Sequence, residues 1–219
     1  MMAERTLMTL NVERGALHGT LDLPDDAKGL VLFVETSPQD GIATPAASAI
    51  LHDFGYGTLT MDLLASSEAQ FADAAMHLPH LVDRLLTILA HLRRQIVNQA
   101  LPDVPVALLA AGHATPVAIR AAAIRDEDVR AVVCFGGLVD LAGLQYLREL
   151  QAPLLMLADA TDAAAIANAR RALAFVKSDN ALETLALAQG HAEAASLAVA
   201  ARAGGWLKRY LPPPAARPA

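Results

Sequence analysis

The stretch from Pro105 to Ala123 restricts the fold more than any other part of the chain. Val104 to Ala110 is apolar throughout and too short for a buried helix. With Pro102 and Pro105 at its start, it reads as a central parallel strand. Ala111 to His113 forms a sharp turn. Thr115 followed by Pro116 predicts a helix start, a capping hydroxyl and then a proline at the first helical position. A buried strand running through a tight turn into a helix is the unit from which parallel α/β sheets are built.

The rest of the chain repeats that alternation. Leu7–Val12 and Leu17–Leu23 form a hairpin around Arg14-Gly15. Leu30–Val34 is a second buried strand, followed by the polar Glu35-Thr36-Ser37-Pro38-Gln39-Asp40-Gly41. Thr44-Pro45 opens a helix that runs to about Phe54, where Gly55 and Gly57 stop it. Tyr56–Met61 is a strand, and Leu63–Met76 has no clear period. From about Leu78, Leu81, Leu85, Ile88, Leu92 and Ile96 recur at helical spacing, with Asp83, Arg84, Thr87, His91 and Arg94 opposite. After the strand–turn–helix come strands at Val129–Cys134, Leu154–Leu157 and Leu182–Leu187. Helices are expected at Gly143–Leu150, from Asp162 to about Val176, and at Ala192–Leu211. The expected architecture is α/β: a mostly parallel central sheet with an N-terminal antiparallel hairpin and helices on both faces, in one domain over residues 1–211. The Pro/Ala-rich tail, 212–219, is read as flexible.

Composition narrows the function classes. Hydrophobic residues make up 54% of the 219, which excludes disorder for most of the chain. The net charge of −6 and the scattered Lys and Arg argue against a nucleic-acid partner. No apolar run reaches the roughly 20 residues that span a bilayer. A single cysteine, Cys134, precludes an intrachain disulfide and fits a reducing compartment. A cytoplasmic location and no membrane partner are therefore expected.

Several segments together resemble a known family: Leu30–Val34, Thr58–Leu64, Leu85–Leu92, Ala131–Gly137 with Asp140–Ala142, Pro153–Leu157 through Asp162, and Gly190-His191. They resemble the α/β-hydrolase superfamily, specifically the dienelactone-hydrolase-like family of small hydrolases associated with phosphoribosyltransferase domains. The likeness runs from Leu17 to Leu211 and implies an α/β-hydrolase fold. In that family Gly-x-Ser-x-Gly forms the nucleophile elbow, and an acid and then a histidine complete a Ser-His-Asp triad. The elbow positions here read Ala110-Ala111-Gly112-His113-Ala114, so Gly112 stands where the serine is expected. The resemblance places the acid at Asp162 and the histidine at His191. It replaces the family's oxyanion-loop His-Gly by Glu35-Thr36.

Each candidate has a functional and a structural reading. Asp162 either orients His191 as a base or only caps a helix. His113 follows the elbow, where its backbone N–H belongs to an oxyanion hole, and its side chain is either a second base or packed at a helix start. Glu35 ends a buried strand and needs a partner, His113 or His191 being the nearest in role. It is read as an ion pair, a general base or a metal ligand. Ser37 is either a substitute nucleophile or a turn hydroxyl. Glu35, His113, His191 and Asp162 match no spaced metal motif, and no metal or other cofactor is expected. Three functions follow. The chain has lost ordinary ester hydrolysis but keeps a pocket for a small acyl or ester-like ligand. Alternatively, His191 and Asp162 with Glu35 or His113 activate water. Or the chain is a homo-oligomeric scaffold packed through its Ala-rich helices.

Overall fold

The computed structural model describes residues 5–12, 15–36, 42–65, 67–68, 70–71, 74–187 and 192–211. Strands β1 (Arg5–Val12) and β2 (Gly15–Asp22) form the expected antiparallel hairpin. Then follow β3 (Leu30–Glu35), α1 (Pro45–Asp53), β4 (Gly57–Asp62), α2 (Leu78–Val97), β5 (Val106–Ala111), α3 (Ala114–Ile124) and β6 (Val129–Phe135). The chain ends with α4 (Leu144–Glu149), β7 (Leu154–Asp159), α5 (Ala163–Leu173), β8 (Asn180–Leu185) and α6 (Ala192–Tyr210). The eight strands lie in one sheet in the order β1-β2-β4-β3-β5-β6-β7-β8. β2 meets β4 antiparallel, and every pairing from β4 to β8 is parallel.

Burial follows the continuous apolar runs. Every residue of β5 is buried, as is β3 up to Val34. Alternate residues feed two cores. Val31, Phe33 and Leu109 pack with α1 and α6, while Leu32, Leu108 and Val132 pack with α2 and α3. Thr44 caps α1 as expected, accepting from the Ala47 N–H at 3.1 Å. Its hydroxyl also lies 2.8 Å from Ser196 Oγ on α6, which in turn donates to the Ile42 carbonyl. That contact fixes the entry to α1. Because β3 is followed by β4 on one side and, after a crossover, by β5 on the other, the chain reverses direction across the sheet at β3/β5. Ligands of open α/β sheets sit at such a point, outside the carboxyl ends of the strands.

Several expectations are corrected. Helix α3 begins at Ala114, so Thr115 is inside the first turn and is not its cap; fully buried, its hydroxyl donates to the Gly136 carbonyl at 3.0 Å. β8 starts and ends two residues earlier than expected because its register is set by β7, with Leu154 opposite Asn180. Helix α5 stops at Leu173. Arg84, placed on the solvent face of α2, is buried against Glu68. His91, placed on the same face, is half-buried and lies 3.3 Å from Gln95 Nε2. The stretch without a period, 63–76, contains one short 3₁₀ turn, Ala74–Met76, among its described residues. No helix among the described residues is long and apolar enough to cross a membrane. The 212–219 tail lies outside the described residues.

Candidate functional site

The turn between β5 and α3 is centred on Gly112, whose φ of +52° is the left-handed region. A β-carbon added there would meet nothing within 4 Å, so the space over the turn is open. The Gly112 N–H donates to the Phe135 carbonyl at 3.0 Å, and its own carbonyl accepts from the Thr115 N–H at 3.2 Å. Gly136 N–H reaches the Leu157 carbonyl at 2.8 Å, and Gly136 O takes the Thr115 hydroxyl. The ends of β5, β6 and β7 are thereby bonded to one another around the turn. Cys134, one residue before the end of β6, is fully buried. Burial pushes its thiol up to about 12, so it stays protonated and is no nucleophile.

The sequence candidates are placed as follows. Ala111 is the buried last residue of β5. His113 is exposed, at the N-terminal cap position of α3, and its side chain caps nothing. Thr36 is buried. Glu35 is half-buried, and its Oε1 accepts the Ala43 N–H at 2.8 Å; among the described residues it bonds no histidine. Asp162 is exposed and caps α5, its Oδ1 accepting the Ala165 N–H at 2.8 Å. Its Oδ2 has no hydrogen-bond partner among the described residues. His191 and Ser37 lie outside the described residues. Among those described, no group of three or more His, Cys, Asp or Glu is arranged to hold a metal.

Two strand-end carboxylates had no assigned role from sequence. Asp62 stands directly beside Glu35 in the parallel register of β3 and β4. Burial, chiefly, raises the pKa of both; the Ala43 and Ile42 amides oppose it at Glu35, to which Asp62 adds, and His18 opposes it at Asp62. Asp159 ends β7 and accepts both the Thr161 N–H and its hydroxyl at 2.8 Å, which hold its carboxyl below the usual range. A raised folded-state pKa means that Glu35's charge costs stability above its folded pKa. That cost vanishes below the unfolded value. Glu35→Gln, which keeps an oxygen for Ala43, is therefore expected to raise Tm by a few degrees near about pH 8. The gain closes as pH falls to about 4, the ordinary carboxylate range. Thermal melts of both proteins across that range check it, and an equal Tm throughout would show that burial of the charge carries no cost.

A second polar cluster lies on α2, away from the turn. Glu68 accepts from the Ala65 N–H at 3.0 Å and from Arg84 at 3.0 Å, and sits 3.1 Å from His80 Nε2. Burial works to raise its pKa, but these three partners outweigh it and hold the carboxyl below its ordinary value. The cluster borders a cleft of about 1110 Å³ beside the hairpin. Its sequence signal was a histidine and an arginine at i, i+4 on one helix, which reads equally as a solvated face. The half-buried Glu68, in the segment after β4, and the buried Arg84, in the second turn of α2, tie that segment to the helix, which is sufficient reason for this cluster as a structural clamp.

No protein-family model matches the chain. It is 30% identical over 160 residues to two Mycobacterium tuberculosis proteins that carry a provisional phosphoribosyl transferase name. The match takes in 72% of this chain but 35% of theirs, so the chain spans about a third of the length of those curated relatives. Among solved structures, a dienelactone hydrolase from Anabaena variabilis superposes with a TM-score of 0.83 at 28% identity, over 96% of this chain and 100% of the other. A lidless α/β serine hydrolase from Xanthomonas campestris matches with TM-score 0.71 at 18% identity, over 98% and 97%. An esterase domain from a Rhodothermus marinus protein matches with TM-score 0.70 at 19% identity, over 95% and 100%. With its hairpin, its β5–turn–α3 unit and its sheet order, the chain belongs to the α/β-hydrolase superfamily and is similar to dienelactone hydrolase along nearly its whole length.

Proposed function

We propose that this esterase-like α/β-hydrolase chain keeps a pocket for a small acyl or ester-like ligand over the β5–α3 turn but has lost ordinary serine-type ester hydrolysis. Gly112 carries the reading. It holds the left-handed conformation of an elbow, and the space above it is open, but it offers no atom for attack. Removing a triad nucleophile costs on the order of a millionfold in turnover. Among the described candidates three features speak against a substitute. His113 is exposed, the Glu35 carboxylate is engaged by Ala43, and the Cys134 thiol is buried and protonated.

The test is hydrolysis of short p-nitrophenyl esters by the wild type and by His191→Ala. Both are expected at the buffer background. Wild-type turnover that His191→Ala abolishes would overturn the proposal and establish water activation, or a nucleophile such as Ser37, in its place.

A further inference from the structure

The clamp on α2 uses one nitrogen of His80 and leaves the other. His80 lines the cleft of about 1110 Å³ between β1 and α2. Asn11 faces the same cleft from β1, Phe71 from the segment after β4, and His77, Arg84 and Thr87 from α2 and its start. The volume is that of the larger small-molecule sites.

The contact with Glu68 fixes what the second nitrogen can do. Glu68 Oε1 lies 3.1 Å from His80 Nε2. Its partners hold the Glu68 carboxyl below its ordinary value, so at neutral pH it is ionised and can only accept. Arg84 Nε lies 3.4 Å from the same nitrogen and would need it as an acceptor. The shorter, charge-assisted bond to the carboxylate is the stronger of the two. Nε2 therefore carries the hydrogen, and in the neutral ring Nδ1 holds the lone pair. A carboxylate that orients an imidazole in this way also stabilises any positive charge the ring takes on.

The rest of the cleft suits a flat ring. Phe71 presents a side chain that is 60% exposed. The His77 and His80 rings meet edge to face, with centroids 6.2 Å apart, an arrangement that aromatic groups prefer. The buried Arg84 is already balanced by Glu68, and Asp83 lines the same wall, so a permanent anion gains little there.

We infer that this cleft binds a phenol, its ring against Phe71 and the histidines and its O–H donating to His80 Nδ1. An aliphatic alcohol has the donor without the ring, and an aryl ether has the ring without the donor. The cleft lies away from the Gly112 turn and owes nothing to the pocket proposed there.

Phenol, anisole and cyclohexanol separate these contributions. Their Kd values are measured by amide NMR titration of the full chain. Phenol is expected to bind at least about fivefold tighter than either of the others, the effect of one hydrogen bond, with shifts centred on Asn11, Phe71 and Thr87. Imidazole nitrogen spectra should show the neutral His80 ring protonated at Nε2, with the Nδ1 resonance moving as phenol is added. His80→Phe keeps a ring and removes the acceptor, and should bring phenol down to the affinity of anisole. Should that variant fail to fold, the imidazole spectra decide the matter in the wild type. Equal binding of phenol and anisole, or no binding of phenol, overturns the inference. So does a neutral His80 protonated at Nδ1, or a preference for phenol that survives in folded His80→Phe. Shifts centred on Gly112 and Gly136 also overturn it and put the phenol over the β5–α3 turn instead.

Discussion

On the proposed reading, Gly112→Ser is expected to give the chain measurable esterase activity. Two features of the turn favour it. A β-carbon at 112 has free space, so the substitution meets no clash. The φ of +52° is the conformation in which the superfamily holds its nucleophile, on a sharp strand-to-helix turn. A serine there loses about 1–2 kcal/mol to the left-handed backbone, a cost that Gly112→Ala shares and thereby controls for. What remains is whether a base is in reach. Asp162 spends Oδ1 on capping α5 and leaves Oδ2 for an imidazole.

A complete triad nucleophile is worth on the order of a millionfold. By the resemblance to the dienelactone-hydrolase-like family, Ala110 and Ala114 stand at the positions of the flanking glycines and Glu35 at that of the oxyanion-loop histidine. The expected recovery is accordingly partial, on the order of a hundredfold to ten-thousandfold over background. The gain should vanish in Gly112→Ser/His191→Ala and in Gly112→Ser/Asp162→Asn. If Gly112→Ser folds, as judged by its melt, and hydrolyses esters no faster than Gly112→Ala, then His191 and Asp162 no longer hold triad geometry. If Asp159→Asn abolishes the gain and Asp162→Asn does not, the acid is the residue at the end of β7.

Much of this was legible in the sequence because the fold is written in long apolar runs. β3 and β5 are buried on both faces, so their continuous hydrophobicity identified them. Thr44-Pro45 was read correctly as a helix start, since its hydroxyl reaches the Ala47 N–H. The same dipeptide pattern misled at Thr115-Pro116, where a tertiary contact, the Gly136 carbonyl, takes the hydroxyl that local logic assigns to capping. Arg84 was misplaced for a related reason. Helical periodicity separates apolar from polar positions, but a buried cation is decided by its partner, and Glu68 is sixteen residues away in a segment without a period. Glu35 drew attention as a carboxylate at the end of a buried strand. That Asp62 stands beside it depends on which strand β3 pairs with, a fact of topology that no local pattern contains.

Gly137→Ala is expected to be the most damaging single methyl in the chain. A β-carbon at 137 would lie 2.1 Å from the Gly112 carbonyl oxygen, 2.9 Å from its carbon and 3.1 Å from Thr115 Cβ. The obstacle is backbone held by the hydrogen bond to the Thr115 N–H, so it cannot rotate away as a flexible side chain would. Its φ of +80° adds the cost of a left-handed backbone, about 1–2 kcal/mol, to overpacking of about 1–3 kcal/mol. Together these give a destabilisation of about 2–5 kcal/mol, a large part of the stability of an ordinary domain. Gly136→Ala isolates the two terms, because its φ of +63° carries the conformational cost while its β-carbon meets nothing within 4 Å. Denaturant unfolding should therefore rank Gly137→Ala below Gly136→Ala by about 2 kcal/mol, with Gly136→Ala itself about 1–2 kcal/mol below the wild type. In a Gly112→Ser background the same methyl should also cancel the gained esterase activity, because it pushes the carbonyl of the residue that carries the nucleophile. Equal stability of the two alanine variants would mean that the 136–138 segment moves freely away from the turn, and the ends of β5 and β6 would then not fix the elbow.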